Sequence, residues 1–321
     1  MAQTMDTTDE VTAAGAQTLE TRHIPCNACG ADRFVAESQV DGWTIGRCAA
    51  CGLVFVNPTA FFPPTDAFSE MSRDFEYTEY MHATITDQIL AFERRQLEFD
   101  AALMSGLDGG RSDGGRSLRF LDVGCGSGAA VRAATDLGWE ATGIDIDPQL
   151  IREGRRQLQV DIRCVPILES NLPPASFDFV KLRDVVEHLP NPLDVLAMVG
   201  GLLAPGGVAL FVTPNEGGLA TRTRVALRRP RRLVATVRPP HHLHSFDPRS
   251  LTRTMRRARL QPIRTFTTTP TDWRYVTSHN LLRGQAAPLV RPLWAVGHAI
   301  GMGAVLVSWG RRDAGRHDGD A

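Results

Sequence analysis

The strongest constraint on the fold is the run Leu121-Asp122-Val123-Gly124-Cys125-Gly126-Ser127-Gly128, a glycine-rich turn set directly between an apolar strand and a helical segment, Ala129–Leu137. Glycine tolerates positive φ and lets a ligand approach the backbone, and a helix N-terminus offers N–H groups with no intrahelical partner. Seventeen residues after Gly128, the strand Glu140–Asp145 ends in an acid placed to accept hydrogen bonds from ribose hydroxyls. Strand, loop, helix and second strand therefore point to a nucleoside-containing ligand. Taken alone the run also fits a dinucleotide site, since Gly124, Gly126 and Ala129 satisfy the looser GxGxxG/A form.

From Leu118 onward, short apolar runs alternate with helical segments, the pattern of an α/β doubly wound, Rossmann-like sheet with helices on both faces. Strands are expected near Arg119–Val123, Glu140–Asp145, Ile162–Val165, Phe177–Leu182, Val208–Thr213, Ile263–Thr268 and Ala304–Trp309. With 321 residues and 43% hydrophobic content the chain can bury a large core, and two unequal units are expected. The expected division is a disordered tail over 1–20, a small module over 21–57, and a helical connection and flexible linker over 58–117. A catalytic domain over 118–311 and a tail over 312–321 complete it. Within the connection, Thr86–Met104 reads as a helix and Ser105–Ser117 as the flexible part.

The glycine run resembles motif I of the class I S-adenosylmethionine-dependent methyltransferases (methyltransferase type 11/23-like). The resemblance continues through Gly143-Ile144-Asp145-Ile146-Asp147-Pro148, Leu172-Pro173-Pro174-Ala175-Ser176-Phe177-Asp178, Glu187-His188-Leu189, Leu203-Ala204-Pro205-Gly206-Gly207 and Thr213-Pro214-Asn215. It implies a seven-stranded sheet closed by a reversed hairpin of the last two strands, and S-adenosyl-L-methionine as methyl donor. It further implies that Asp122, Gly124 and Gly126 hold the methionyl end, with Cys125 and Gly128 in the same loop. Asp145 would hold the ribose, and Ile146 with Val165 or Pro166 would flank the adenine. Many relatives carry an acid after the third strand where this chain has Cys164-Val165-Pro166.

Two CxxC pairs, Cys26/Cys29 and Cys48/Cys51, lie eighteen residues apart, and each is followed by a glycine suited to a tight turn around a metal. Four thiolates select structural Zn²⁺ and leave no open coordination position; an iron–sulfur centre or a redox dithiol is the alternative. Only Arg33 and Arg47 are basic between Cys26 and Cys51, so no nucleic acid partner is expected. Zinc-headed methyltransferases resembling this chain act on sugars, polysaccharide precursors and other small metabolites, which implies a lid or substrate-recognition role for the module. Cys125 and Cys164 read as buried thiols.

After the fourth strand, Asp184, Glu187 and His188 would share a helical face if that segment is helical. The pattern resembles the acidic-xx-Glu-His sequence of ubiquinone-type O-methyltransferases, which implies a divalent metal at Asp184/Glu187/His188. The plainer reading makes His188 a packed or capping residue and the two acids surface hydrogen-bonders. His188 is the first candidate for a general base, because an imidazole accepts a proton near neutral pH. The run His241-His242-Leu243-His244 follows an arginine-rich segment, and His241 is a candidate for orienting substrate; His241 with His244 is an alternative metal pair.

Seven arginines between Arg222 and Arg238 suit phosphate, carboxylate, a nucleotide-linked sugar or a peripheral membrane contact, or else form a solvated helix face. A formal net charge of -1 gives no global pull towards nucleic acid or membrane. Pro292–Gly310 lacks Asp, Glu, Lys and Arg over about the length of a membrane span, but its glycines and Pro292 favour a helix, a turn and a strand. No export signal begins the chain, and a cytoplasmic location is expected. The expectation is O-methylation of a glycan- or metabolite-type small molecule, with N- or C-methylation of a nucleotide-linked sugar as the alternative. A non-enzymatic Rossmann-like scaffold and an NAD-dependent oxidoreductase are the competing classes.

Overall fold

The computed structural model describes residues 9–12, 18–60, 85–107, 117–227, 237, 239–270, 272–274 and 291–312. Where a disordered tail is expected, β1 (Asp9–Thr12) and β2 (Thr18–Arg22) pair antiparallel. The cysteine module follows with β3 (Phe34–Val40), β4 (Trp43–Cys48) and β5 (Val54–Val56), after which β6 (Thr59–Ala60) returns to β2. The helix α1 (Asp87–Leu107) runs further than the expected Met104, and the rest of the expected linker, 108–116, lies outside the described residues.

The catalytic sheet begins at β7 (Arg119–Val123) and continues through α2 (Ala129–Asp136), β8 (Glu140–Asp145), α3 (Pro148–Leu158), β9 (Ile162–Cys164) and β10 (Phe177–Arg183). It goes on through α4 (Pro192–Leu202), β11 (Leu203–Pro214), α5 (Leu219–Leu227), β12 (His244–Ser245) and α6 (Pro248–Arg257). It closes with β13 (Leu260–Thr268), α7 (Arg291–Ala299) and β14 (Val305–Arg312). The strand order is β13-β14-β11-β10-β7-β8-β9, with β14 antiparallel to both its neighbours and the β9-to-β11 side parallel. This is the expected doubly wound sheet with its reversed final hairpin. Pro292–Gly310 becomes a helix, a turn and a strand, and no helix among the described residues is long and apolar enough to cross a membrane.

Local chemistry explains the α3 start, where the Asp147 carboxylate accepts the Gln149 and Leu150 N–H groups at 2.8 and 3.1 Å and Pro148 takes the first turn. One face of the sheet buries Phe120, Phe179, Leu210 and Trp309 against Leu97 and Met104 of α1 and Ala133 and Ala134 of α2. At roughly 1.5–3 kcal/mol per large apolar side chain, this face alone outweighs any surface ion pair. On the other face, Leu121, Val180, Leu182 and Phe211 share one core with Leu196, Leu251 and Met255, and with Cys26, Cys48, Leu53 and Phe55 of the module. The module therefore shares the core of the catalytic sheet. It also takes a strand from it, since β12 extends the sheet β12-β5-β4-β3.

Burial makes demands beneath α1. Asp100 is fully buried, neither carboxylate oxygen has a hydrogen-bond partner among the described residues, and burial lifts its carboxyl to about 7. Because the folded value lies above the ordinary 3.8, stability contributed by this group falls as pH rises from about 4 to about 7 and levels off above. Asp100→Asn should therefore raise the melting temperature at pH 8 far more than at pH 5, with about 4 kcal/mol as the upper bound for three pH units. Equal shifts in thermal melts at the two pH values would contradict the burial argument.

Candidate active site

The glycine run forms a loop of positive-φ turns, with Gly124 at +72°, Gly126 at +54° and Gly128, the N-cap of α2, at +83°. The loop closes on the end of β8: the Gly124 and Cys125 N–H groups donate to the Ile144 carbonyl at 2.8 and 3.1 Å. The two Asp145 oxygens accept from Gly126 N–H at 2.8 Å and Asp147 N–H at 2.9 Å. Burial raises the Asp145 carboxyl to about 6. A Cβ on Gly124 would stand 2.3 Å from Val185 Cγ2, so the loop packs directly on the segment that follows β10. Val165 and Pro166 follow β9, where Val165 N–H donates to the Asp145 carbonyl at 2.9 Å, while Ile146 follows β8. The Cys125 thiol is buried and held well above its ordinary pKa by that burial.

The segment Asp184–His188 is a bend and a turn and not a helix, which corrects the shared helical face. Asp184 takes φ +52°, a conformation aspartate adopts more readily than most residues, and its N–H continues the strand by donating to Val212 O at 2.9 Å. In this geometry the group brought together is Glu187, His188 and His242, each offering one atom within 4.8 Å of the others. His188 Nε2 lies 3.9 Å from Glu187 Oε1, and the His188 and His242 rings meet edge-on at 4.6 Å. Glu187 Oε2 accepts from Thr213 Oγ1 at 2.8 Å; burial, reinforced by the nearby Asp184 charge, raises its carboxyl to about 8. Burial also raises Asp184 to about 6 and, with His242 and His241 alongside, drives His188 well below 6.5.

His188 Nδ1 faces the His241 carbonyl at 3.0 Å. A carbonyl only accepts, so Nδ1 carries the single proton of the neutral ring and Nε2 keeps a lone pair. His241 thus contributes its backbone, and its own ring is shifted down by burial. His244 does not reach this group: its ring is buried against Phe55 and Phe246 and is kept neutral, with burial lowering its pKa to about 3. The His241/His244 metal pair therefore has no support in the geometry.

A second set of charges lies behind the loop and went unnoticed in the sequence. Lys181 Nζ is 3.5 Å from Asp122 Oδ1 and 3.6 Å from Glu93 Oε2, and Arg183 Nη1 is 3.2 Å from Glu93 Oε2. Burial works to raise Glu93, but Arg183 and Lys181 hold its carboxyl below the usual range, whereas burial leaves Asp122 raised. The available signal was Lys181, the only lysine of the chain, inside the apolar strand Phe177-Asp178-Phe179-Val180-Lys181-Leu182.

In the module, Cys26 Sγ lies 3.4 Å from Cys51 Sγ and Cys29 Sγ 3.5 Å from Cys48 Sγ, and all four sulfurs are within 4.8 Å of one another. Four bonds of about 2.3 Å in a tetrahedron imply sulfur separations of about 3.8 Å, so the cluster fits a single ion. The turns match: Gly30 N–H donates to Cys26 O and Gly52 N–H to Cys48 O, at 2.7 and 2.9 Å, with both glycines at positive φ. Burial opposes ionisation of Cys48, but N–H groups of Cys51 and Ala50 bring its thiol to about 7; burial raises Cys26.

A family model described as a methyltransferase domain matches residues 77–264. A ubiquinone biosynthesis O-methyltransferase of Xanthomonas campestris pv. campestris is 34% identical over 152 residues, covering 44% of this chain and 62% of the relative. The corresponding protein of Idiomarina loihiensis is 33% identical over 111 residues, covering 33% of this chain and 46% of the relative. The chain thus spans less than two thirds of the length of these relatives. A SAM-dependent methyltransferase structure from Archaeoglobus fulgidus covers 68% of this chain and 91% of its own, at 14% identity and TM-score 0.45.

The contact at Gly124 is directly testable. Gly124→Ala should lower the melting temperature through both the positive φ and the 2.3 Å overlap with Val185, a loss of about 1–3 kcal/mol. Val185→Ala in the same background should recover part of it. No recovery in thermal melts would show that backbone conformation alone sets the cost.

Proposed function

The chain belongs to the class I S-adenosylmethionine-dependent methyltransferases, and from that premise we propose that it methylates a hydroxyl oxygen of a small molecule. Family membership sets aside the scaffold and the NAD-dependent oxidoreductase. The donor supplies an activated methyl group as a sulfonium. Asp122, Gly124, Cys125, Gly126 and Gly128 would hold its methionyl end, Asp145 its ribose, and Ile146, Val165 and Pro166 its adenine. The relatives named for ubiquinone biosynthesis are O-methyltransferases, which supports an oxygen acceptor; their names lend nothing to a sugar or to a nucleotide-linked sugar.

The observation that carries the reading is the His188 tautomer. With Nδ1 committed to the His241 carbonyl, Nε2 is an unprotonated nitrogen beside the cofactor loop, able to accept a hydroxyl proton as the oxygen attacks the methyl carbon. Glu187 Oε1, 3.9 Å from that nitrogen, stands near enough to favour the imidazolium that results. A second reading is favoured by the same atoms: Glu187, His188 and His242, in place of the expected Asp184/Glu187/His188 set, offer one carboxylate and two imidazoles to a divalent cation. Such a cation would acidify the acceptor hydroxyl.

Calorimetry should show saturable binding of S-adenosylhomocysteine, weakened by about tenfold or more in Asp145→Ala, and no binding of NAD. With catechol and aliphatic alcohols as acceptors, His188→Ala should cost about 10²-fold in kcat while S-adenosylhomocysteine affinity holds. Turnover lost on EDTA treatment would select the cation reading; methylation of amine acceptors with none of the hydroxyl compounds would overturn oxygen transfer altogether.

The four module cysteines are proposed to hold one structural Zn²⁺, a site with no position left for substrate. Thiol-modifying mercurial should release one zinc per chain, and Cys48→Ser should lose the metal with a large fall in melting temperature. Iron in the purified protein with a visible cluster absorbance would replace the zinc assignment.

A further inference from the structure

The first cysteine turn reaches beyond its own sulfurs. Asn27 is buried, and its Oδ1 accepts the Leu193 N–H at 2.9 Å, in the first turn of α4. That contact fixes the amide orientation, so Nδ2 is the group facing His244 Nε2 at 3.3 Å, and it donates. The His244 ring sits near parallel to Phe55 and Phe246, with centroids 5.8 Å away on each side. At the start of β12, the N–H groups of His244 and of Leu243 just before it both donate to the Glu187 carbonyl, at 3.0 and 2.8 Å. The preceding residues supply the His241 carbonyl that fixes His188 and the His242 ring that meets it.

A strand of two residues pairs too briefly to hold its own register, so β12 also draws on the Glu187 carbonyl and on side-chain anchors. Docking of the module as such is already served by Arg257, whose Nη1 donates to the Cys26 and Asn27 carbonyls at 2.9 and 2.6 Å. What Asn27 adds is the link to His244.

We propose that Asn27 is a positioning residue, tying the cysteine module through His244 to the Glu187, His188 and His242 wall of the active site. The role rests on the reading of that wall given under Proposed function. Without the Asn27 amide, Leu193 N–H and His244 Nε2 lose these bonds, and the segment running from the His241 carbonyl into β12 loses a side-chain anchor.

The test is a histidine-ring ¹H–¹³C correlation spectrum of the full, zinc-loaded chain, with His188 and His242 assigned by substitution. In Asn27→Ala, the His188 and His242 signals should shift and broaden, while His298, on α7, stays in place. Zinc content should be unchanged and S-adenosylhomocysteine affinity should stay within about twofold, as expected for a site outside the cofactor loop. His244→Phe keeps the stack on Phe55 and Phe246 but removes the acceptor, so it should move the same two signals even if Asn27→Ala folds poorly. Unmoved His188 and His242 signals in the folded variants overturn the positioning role. Failure of wild type to bind S-adenosylhomocysteine would instead sink the methyltransferase reading and leave the ring comparison standing.

Discussion

The site depends on one missing Cβ. At Gly124 the next side chain, Val185, already occupies the space a β-carbon would need, so the cofactor loop and the bend after β10 meet as a single packed surface. Similar approaches support it from behind: a Cβ on Gly154 would lie 2.0 Å from the Ser127 carbonyl, and one on Gly143 2.8 Å from Cys125 Sγ. With Asp145 holding the Gly126 and Asp147 N–H groups, the loop takes its shape from protein contacts before any ligand arrives. Binding then pays little ordering entropy, and the two sides of the reaction keep a fixed separation.

That arrangement draws in α1. Lys181 and Arg183 project from a fully buried strand, and isolated charges there would be untenable; Glu93 supplies the partner from α1. Among the described residues the ion group is incomplete, since Arg183 Nε and Nη2 and both Asp100 oxygens find no hydrogen-bond partner there. Its value lies in position more than in stability. It fixes α1 against the strands that carry Asp122, Lys181 and Arg183.

What the sequence made legible was mostly local. The glycine loop, the acid ending β8, the reversed final hairpin and the paired cysteines each declare themselves within a few residues or by a resemblance carried by short motifs. The Asp184–His188 bend was misread because spacing of i, i+3 and i+4 says nothing about whether the backbone is helical, and a left-handed Asp184 breaks the assumption at its first residue. His242 joins His188 across more than fifty residues of sequence, two residues ahead of a short strand that pairs with the cysteine module. No periodicity reveals such a pairing. Lys181 was visible as an oddity, but its partner on α1 could be assigned only once the helix was seen to cover that face.

The module was expected to serve as a lid or recognition element, yet its position makes it part of the wall. Its sulfurs share a core with the sheet, and its strand β5 pairs with β12, just beyond the His241 carbonyl that faces His188. On the proposed reaction this matters because the two groups nearest the acceptor nitrogen are uncharged at neutral pH: Glu187 keeps its proton to about 8 and His188 is neutral. Such a pair admits a neutral hydroxyl without first burying an anion beside it. A new charge appears as the hydroxyl proton reaches Nε2, and the imidazolium then forms 3.9 Å from Glu187. The Glu187 carboxyl, held up by burial, is easier to ionise once that cation is present. Stabilisation thus grows as the reaction proceeds and is absent beforehand, which is the condition for an interaction to lower the barrier and not merely to bind the acceptor.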